Sequence, residues 1–147
     1  MKRSGRISPL LVLGILCLLL LVPLFCASKK GAQTVAAEFM EALGRGDVNK
    51  LADLGAIHGT TEEQRRALWQ KTIERSKHYL FTWRITDAQE LDPKTAAVRL
   101  QIRRDLQLRR GQDEMKYELP LTKDEKGDWK VDVGSMDRGI YPALPRG

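Results

Sequence analysis

The stretch KDEKGDWKVDVGS, residues 123–135, decides how the chain is read. A charged run around Gly127 is followed at once by Trp129, Val131 and Val133 on one parity, with Lys130 and Asp132 on the other. That alternation is the period of a strand with one face buried and one face in water. Asp124 to Asp128 then reads as a tight turn, and Trp129 opens a closing strand that must pack on an apolar layer.

Working back from this strand, the same period recurs. Met115, Tyr117, Leu119 and Leu121 form an inward set, and Pro120 on the outward parity predicts a local break in pairing. Val98, Leu100, Ile102, Leu106 and Leu108 share one parity, which predicts one long strand over residues 96–108, with Arg104 as the charged exception on its inward side. Phe81, Trp83 and Ile85 alternate with Thr82, Arg84 and Thr86, and the same parity carries Asp87 inward. The Asp92-Pro93-Lys94 run turns the chain toward the long strand.

Before residue 80 the period is helical. Val35, Ala36, Phe39, Met40 and Leu43 fall on one face behind Thr34, the expected N-cap, and Gly44 with Gly46 ends the pattern. Asp47 is placed to cap a short helix carrying Val48, Leu51 and Leu54, which Gly55 stops. Thr60 and Glu63 have the spacing of a capping box, ahead of a longer helix with Leu68, Trp69, Thr72, Ile73 and Ser76 on one side. The expected class is α+β, three helices packed on a curved, cone-like sheet of four antiparallel strands in meander order. The expected division is a leader over 1–28, a linker over 29–34, the domain over 35–136 and a C-terminal tail over 137–147.

The leader is of another kind. Residues 7–27, ISPLLVLGILCLLLLVPLFCA, hold no charged side chain, and Lys2, Arg3 and Arg6 precede them. A membrane-spanning helix needs about 20 apolar residues and a signal-peptide core about 7–15, and this run stands between the two. Retention as an anchor, cleavage after Ser28 and lipidation of Cys26 are the three outcomes. Cys26 lies where a bacterial lipoprotein carries its lipid, but Phe25 stands where the lipidation motif has a small residue. Each outcome puts the domain on the far side of a membrane, because basic residues ahead of an apolar run stay inside.

The leader also distorts the charge balance. The chain has 25 basic and 19 acidic residues. Three of the basic ones and none of the acidic ones precede residue 28, so residues 28–147 carry a net +3. The one concentrated basic run, RRDLQLRR at 103–110, is interrupted by Leu106 and Leu108, and nucleic acid is not an expected partner. Residues 28–147 contain no cysteine, which excludes a disulfide, a thiolate nucleophile and a cysteine metal site there. His58 and His78 lack ligands at local spacing, so no metal or other cofactor is expected.

An apolar leader, the phrase FMEALGRGD at 39–47, an amphipathic helix, a meander of long strands and the closing GDWKV at 127–131 together resemble the nuclear transport factor 2-like superfamily, also described as cystatin-like. The resemblance covers residues 32–135 and matches small exported bacterial members. It implies a cone-shaped α+β fold that hosts isomerases, dehydratases, adaptors and envelope scaffolds alike, so function rests on the site. Enzymes of this class, the ketosteroid isomerases among them, use a carboxylate base and a tyrosine or carboxylic acid that holds an oxyanion in an apolar pocket.

On that pattern the inward parity offers Asp87 as a base, Tyr117 as an oxyanion donor and Arg104 as an anion or carboxylate contact. Each has a plainer role: Asp87 ending a buried run in water, Tyr117 in the core with its hydroxyl at the rim, and Arg104 pairing with Asp87 or Glu118 or extending outward along its stem. No catalytic residue is therefore assigned. The expected function is a membrane-tethered extracytoplasmic binding or scaffold domain of the bacterial envelope, and the alternative is an exported small-molecule-binding protein with isomerase-like chemistry. Arg99, Arg103, Lys116 and Lys130 share the outward parity, where an envelope protein or a second copy of the chain is expected to dock. The expected location is the inner membrane's outer side, or the periplasm after cleavage.

Overall fold

A computed structural model describes residues 29–104 and 113–146. The leader with Cys26, the far half of the basic run and Leu106 and Leu108 lie outside the described residues. Among the described residues no helix is long and apolar enough to cross a membrane.

Helix α1 (Ala32–Arg45) buries Val35, Ala36, Phe39, Met40 and Leu43, the face predicted from their spacing. It begins earlier than the expected linker allows. Gly31, not Thr34, is the N-cap, because Ala32 is itself buried in the core and draws the first turn in. Gly46 ends the helix at φ 70°, a left-handed conformation that glycine adopts without penalty. Helix α2 (Val48–Leu54) is capped as expected, the Asp47 carboxylate accepting from the Lys50 N–H at 3.1 Å. Helix α3 (Glu62–Ser76) starts one residue later than predicted: its capping box is Thr61 with Gln64, while the Thr60 hydroxyl donates to the Ile57 carbonyl at 2.7 Å. With two adjacent threonines, spacing leaves the cap ambiguous by one residue, and the bond of Thr60 back to Ile57 resolves it.

The sheet has five strands, not four. They are β1 (Gly55–Ala56), β2 (Phe81–Glu90), β3 (Thr95–Arg104), β4 (Asp113–Lys123) and β5 (Trp129–Asp132). Their order is β1-β5-β4-β3-β2, and β1 runs parallel to β5 while the others form the antiparallel meander. Two residues have no periodicity to read, so β1 was invisible in the sequence. Gly55 permits it, since a Cβ there would lie 2.9 Å from the Leu51 carbonyl oxygen and 3.0 Å from Val133. Pro120 does not break the pairing, for it faces Ala97 in an unshifted register. Strand β5 pairs with β4 only at Leu121–Lys123, which leaves Pro120 one open flank where no N–H is needed.

Two aspartates fix the turns. Asp92 accepts from the N–H groups of Lys94 and Thr95, and Asp124 from those of Lys126 and Asp128, with Gly127 at φ 76° between them. Both carboxyls are held below the usual range by hydrogen bonds, chiefly from the Thr95 side chain at Asp92 and from the Asp128 backbone at Asp124.

The helices cover one sheet face. Phe39 of α1 meets Trp69 of α3 edge to face, ring centroids 5.7 Å apart, above Val98, Leu100, Leu119 and Val131. The expected tail is part of this core. After a 3-10 turn at Val133–Ser135 the chain brings Ile140, Tyr141 and Leu144 into it, all buried, because the sheet's end beside Phe81 would otherwise be open to water. Tyr141 packs edge to face on both Tyr79 and Phe81.

The parity that decides the fold is testable. Trp129 is buried and Lys130 lies on the other face. Trp129→Ala is expected to cost about 3–5 kcal/mol in chemical denaturation of the full chain in neutral detergent, the usual loss for a buried large aromatic. Lys130→Ala removes one exposed bond to the Asp53 carbonyl and is expected to cost about 1 kcal/mol or less. Equal losses would overturn the register of β5.

Candidate functional site

Two of the three inward candidates meet. Arg104 at the end of β3 donates from Nη2 to the Tyr117 hydroxyl at 2.6 Å and to the Gly139 carbonyl. The Tyr117 hydroxyl in turn donates to Met115 Sδ at 3.2 Å. The guanidinium carbon lies 5.8 Å from the centroid of the Tyr79 ring and 5.9 Å from that of Tyr117, within the range where a cation is drawn to an aromatic face. These described partners are neutral. Arg104 is therefore neither paired with Asp87 or Glu118 nor extended into water; it ties the strands to the C-terminal segment.

The third candidate, Asp87, is elsewhere. The pairing of β2 with β3 shifts between Ile85 and Asp87, so Thr86 is an extra residue and everything after it changes face. Asp87 consequently sits on the outer face opposite Arg99, its carboxylate 3.1 Å from the guanidinium and half exposed. A carboxylate base and an oxyanion donor are thus not brought together by these residues. Gly139 closes the remaining space around Tyr117, since a Cβ there would lie 2.7 Å from its hydroxyl oxygen.

The outer face collects the docking candidates. Cross-strand rows set Asp87–Arg99–Glu118, Arg84–Gln101–Lys116 and Thr82–Arg103–Glu114 side by side. Arg103 and Arg84 reach the Glu114 carboxylate at 3.9 and 4.0 Å. The basic residues are thus interleaved with acids rather than forming a uniform patch. A recess of about 330 Å³ opens among Arg84, Gln101, Arg103 and Glu114. Lys130 stands apart from this group, its ammonium bonded to the Asp53 carbonyl at 2.9 Å, which ties β5 to α2.

Tyr79 and Gly139 at the Arg104 node are not legible in the sequence, because both come from segments without strand periodicity. Equally illegible is a cleft of about 520 Å³ between α3 and the C-terminal segment, whose walls come from residues some 70 positions apart in the chain. His58 and His78 are exposed, and among the described residues no three metal-binding side chains are grouped.

No family model matches the chain, and no curated protein matches it. Solved structures resemble it in fold. A ketosteroid isomerase-like protein from Erwinia carotovora atroseptica SCRI1043 superposes with a TM-score of 0.48 at 13% identity, covering 73% of this chain and 92% of that one. A domain of unknown function with a cystatin-like fold from Nostoc punctiforme PCC 73102 gives 0.49 at 15% identity, over 67% of this chain and 68% of that one. An NTF-2 like protein of unknown function from Shewanella oneidensis MR-1 gives 0.45 at 15% identity, over 66% and 88%.

The aromatic closure has a pH signature. Burial pushes the Tyr79 and Tyr141 hydroxyls above the usual phenol range, although Arg104 pulls Tyr79 and a bond with Ser76 pulls Tyr141 the other way. The folded state thus favours the neutral phenols, and their contribution is complete below the unfolded value of about 10 and is lost as pH rises past it toward the raised folded values. Unfolding free energy measured across this range is expected to fall above about pH 10, and Tyr79→Phe is expected to flatten the fall. An unchanged slope in Tyr79→Phe would remove Tyr79 from this account.

Proposed function

We propose that the chain is a membrane-tethered extracytoplasmic binding domain, held by residues 7–27, that works through contacts on its outer sheet face. The observation that carries this reading is the closed end of the fold: Ile140, Tyr141 and Leu144 are buried there, the Gly139 carbonyl accepts from Arg104, and a Cβ at Gly139 would meet the Tyr117 hydroxyl. What a reacting substrate would need in that space, a carboxylate facing a hydroxyl, is divided between two sheet faces. The outer face remains accessible, and its interleaved charges suit a polar, salt-sensitive contact. A permanent dimer through it is disfavoured, because obligate interfaces resemble a core cut in half and this face presents charged rows.

The test uses the full chain expressed in a bacterium. It is expected to stay with the membranes through a high-salt wash, since an uncharged run of this length holds more strongly than a domain of net +3. A photo-crosslinking residue replacing Gln101 in the outer recess is expected to give a discrete adduct in intact cells, and the same residue replacing Gln70 on exposed α3 is expected to give none. Recovery of a soluble form starting near Lys29 would refute the tether. Equal crosslinking from both positions would refute the outer face as the contact surface.

A further inference from the structure

The cleft between α3 and the C-terminal segment has no role in the outer-face reading. Its polar wall carries Lys71 and Arg75 from α3 and Arg138 and Arg146 from the C-terminal segment, with no acidic side chain among its lining residues. Among the described residues, none of the four lies within ion-pair distance of a carboxylate; the recorded pairs involve other cations. Leu68, Tyr141 and Leu144 supply an apolar wall. At about 520 Å³ the cleft has the size of ordinary small-molecule sites, about 300–1,000 Å³.

This arrangement works against local stability. Lys71 and Arg75 are four apart on one helix, a like-charge spacing that destabilises a helix, whereas the same helix places Glu62 against Arg66 at that spacing elsewhere. Arg75 in the last turn does complement the negative end of the helix dipole. The dipole does not account for Arg138 and Arg146, which arrive from a different segment. The wall they stand on is fixed by neutral acceptors: Thr72 Oγ1 donates to the Ala143 carbonyl at 2.8 Å, and Arg138 Nη1 to the carbonyls of Leu144 and Pro145 at 3.0 and 2.8 Å. Arg138 is therefore held at the cleft by neutral acceptors, no carboxylate among the described residues lines it, and a recess lined by one sign of charge concentrates the field within it.

We infer that this cleft binds a small organic anion, a phosphate ester or equivalent dianion with an apolar substituent, the charged group on Lys71, Arg75 and Arg138 and the substituent on Leu68 and Tyr141. Such an anion has two sources, a soluble metabolite or a lipid headgroup. The position of the cleft favours the soluble one. The chain enters the domain at Lys29, which donates to the Lys126 carbonyl in the β4–β5 turn, whereas the cleft adjoins Tyr141 beside Phe81 at the opposite end of ten-residue strands, about 30 Å away. This choice of source rests on the tethering reading; the anion site itself does not.

Calorimetric titration of the full chain in neutral detergent at low salt, with phenyl phosphate and with inorganic phosphate, tests the site. Phenyl phosphate is expected to bind more tightly than inorganic phosphate. Combined Lys71→Ala and Arg75→Ala, both exposed, are expected to weaken it by about tenfold or more without lowering the unfolding midpoint. Combined Arg84→Ala and Arg99→Ala on the outer face are expected to leave it unchanged. Absence of phenyl phosphate binding, or equal weakening by the outer-face pair, would overturn the site, and equal affinity for the two probes would overturn its apolar half. Vesicles of phosphatidylglycerol supply the headgroup arm: capture that depends on Lys71 and Arg75 would overturn the soluble source while upholding the anion site, and no such capture supports the soluble source.

Discussion

An irregular segment that enters a core brings backbone carbonyls with it, and without a strand ladder or helix most must find donors outside regular structure, chiefly among side chains. Residues 136–146 meet this constraint through Thr72, Ser76, Tyr79, Arg104 and Arg138, which donate to the carbonyls of Ala143, Pro142, Ile140, Gly139 and the Leu144–Pro145 pair. The buried side chains of the same segment could not close the end of the sheet if those carbonyls were left unsatisfied. The polar residues on the buried side of α3, Thr72 and Ser76, are there for this reason.

The closure reorganises the chemistry around it. It turns Arg104 from an anion contact into a strut, since the guanidinium lies by two tyrosine rings and its Nη2 donates to the Tyr117 hydroxyl and the Gly139 carbonyl. It also creates the basic cleft, because Arg138 reaches its place only when its own segment has folded back over α3. One docking event thus fills one recess and builds another.

A second constraint acts on the edge strand. A single extra residue at Thr86 exchanges the faces of everything that follows in β2, and Asp87 leaves the interior for an ion pair with Arg99. Bulges of this kind are common on edge strands, where they also discourage pairing with another chain. The outer face gains an acid beside Arg99, so the row Asp87–Arg99–Glu118 alternates in sign.

Much of this was legible from residues alone. The strand at Trp129, the turns at Asp92 and Asp124, the buried face of α1 and the inward set Val98, Leu100, Ile102, Leu119 and Leu121 follow from period and turn chemistry, which are local properties of the chain. The inward position of Arg104 follows from the same parity, whereas its contact with Tyr117, which faces Leu100 in the register, does not. What the sequence could not determine were events with no period: a two-residue parallel strand held by the close approach at Gly55, a bulge that reverses Asp87, and the return of Ile140 and Tyr141 to a sheet end formed some 60 residues earlier. Local preference sets which residues form an element and which side they bury. Contacts between distant segments decide which end is closed, which charges are answered and which cleft is left open, because those depend on where each segment lies once the others have packed.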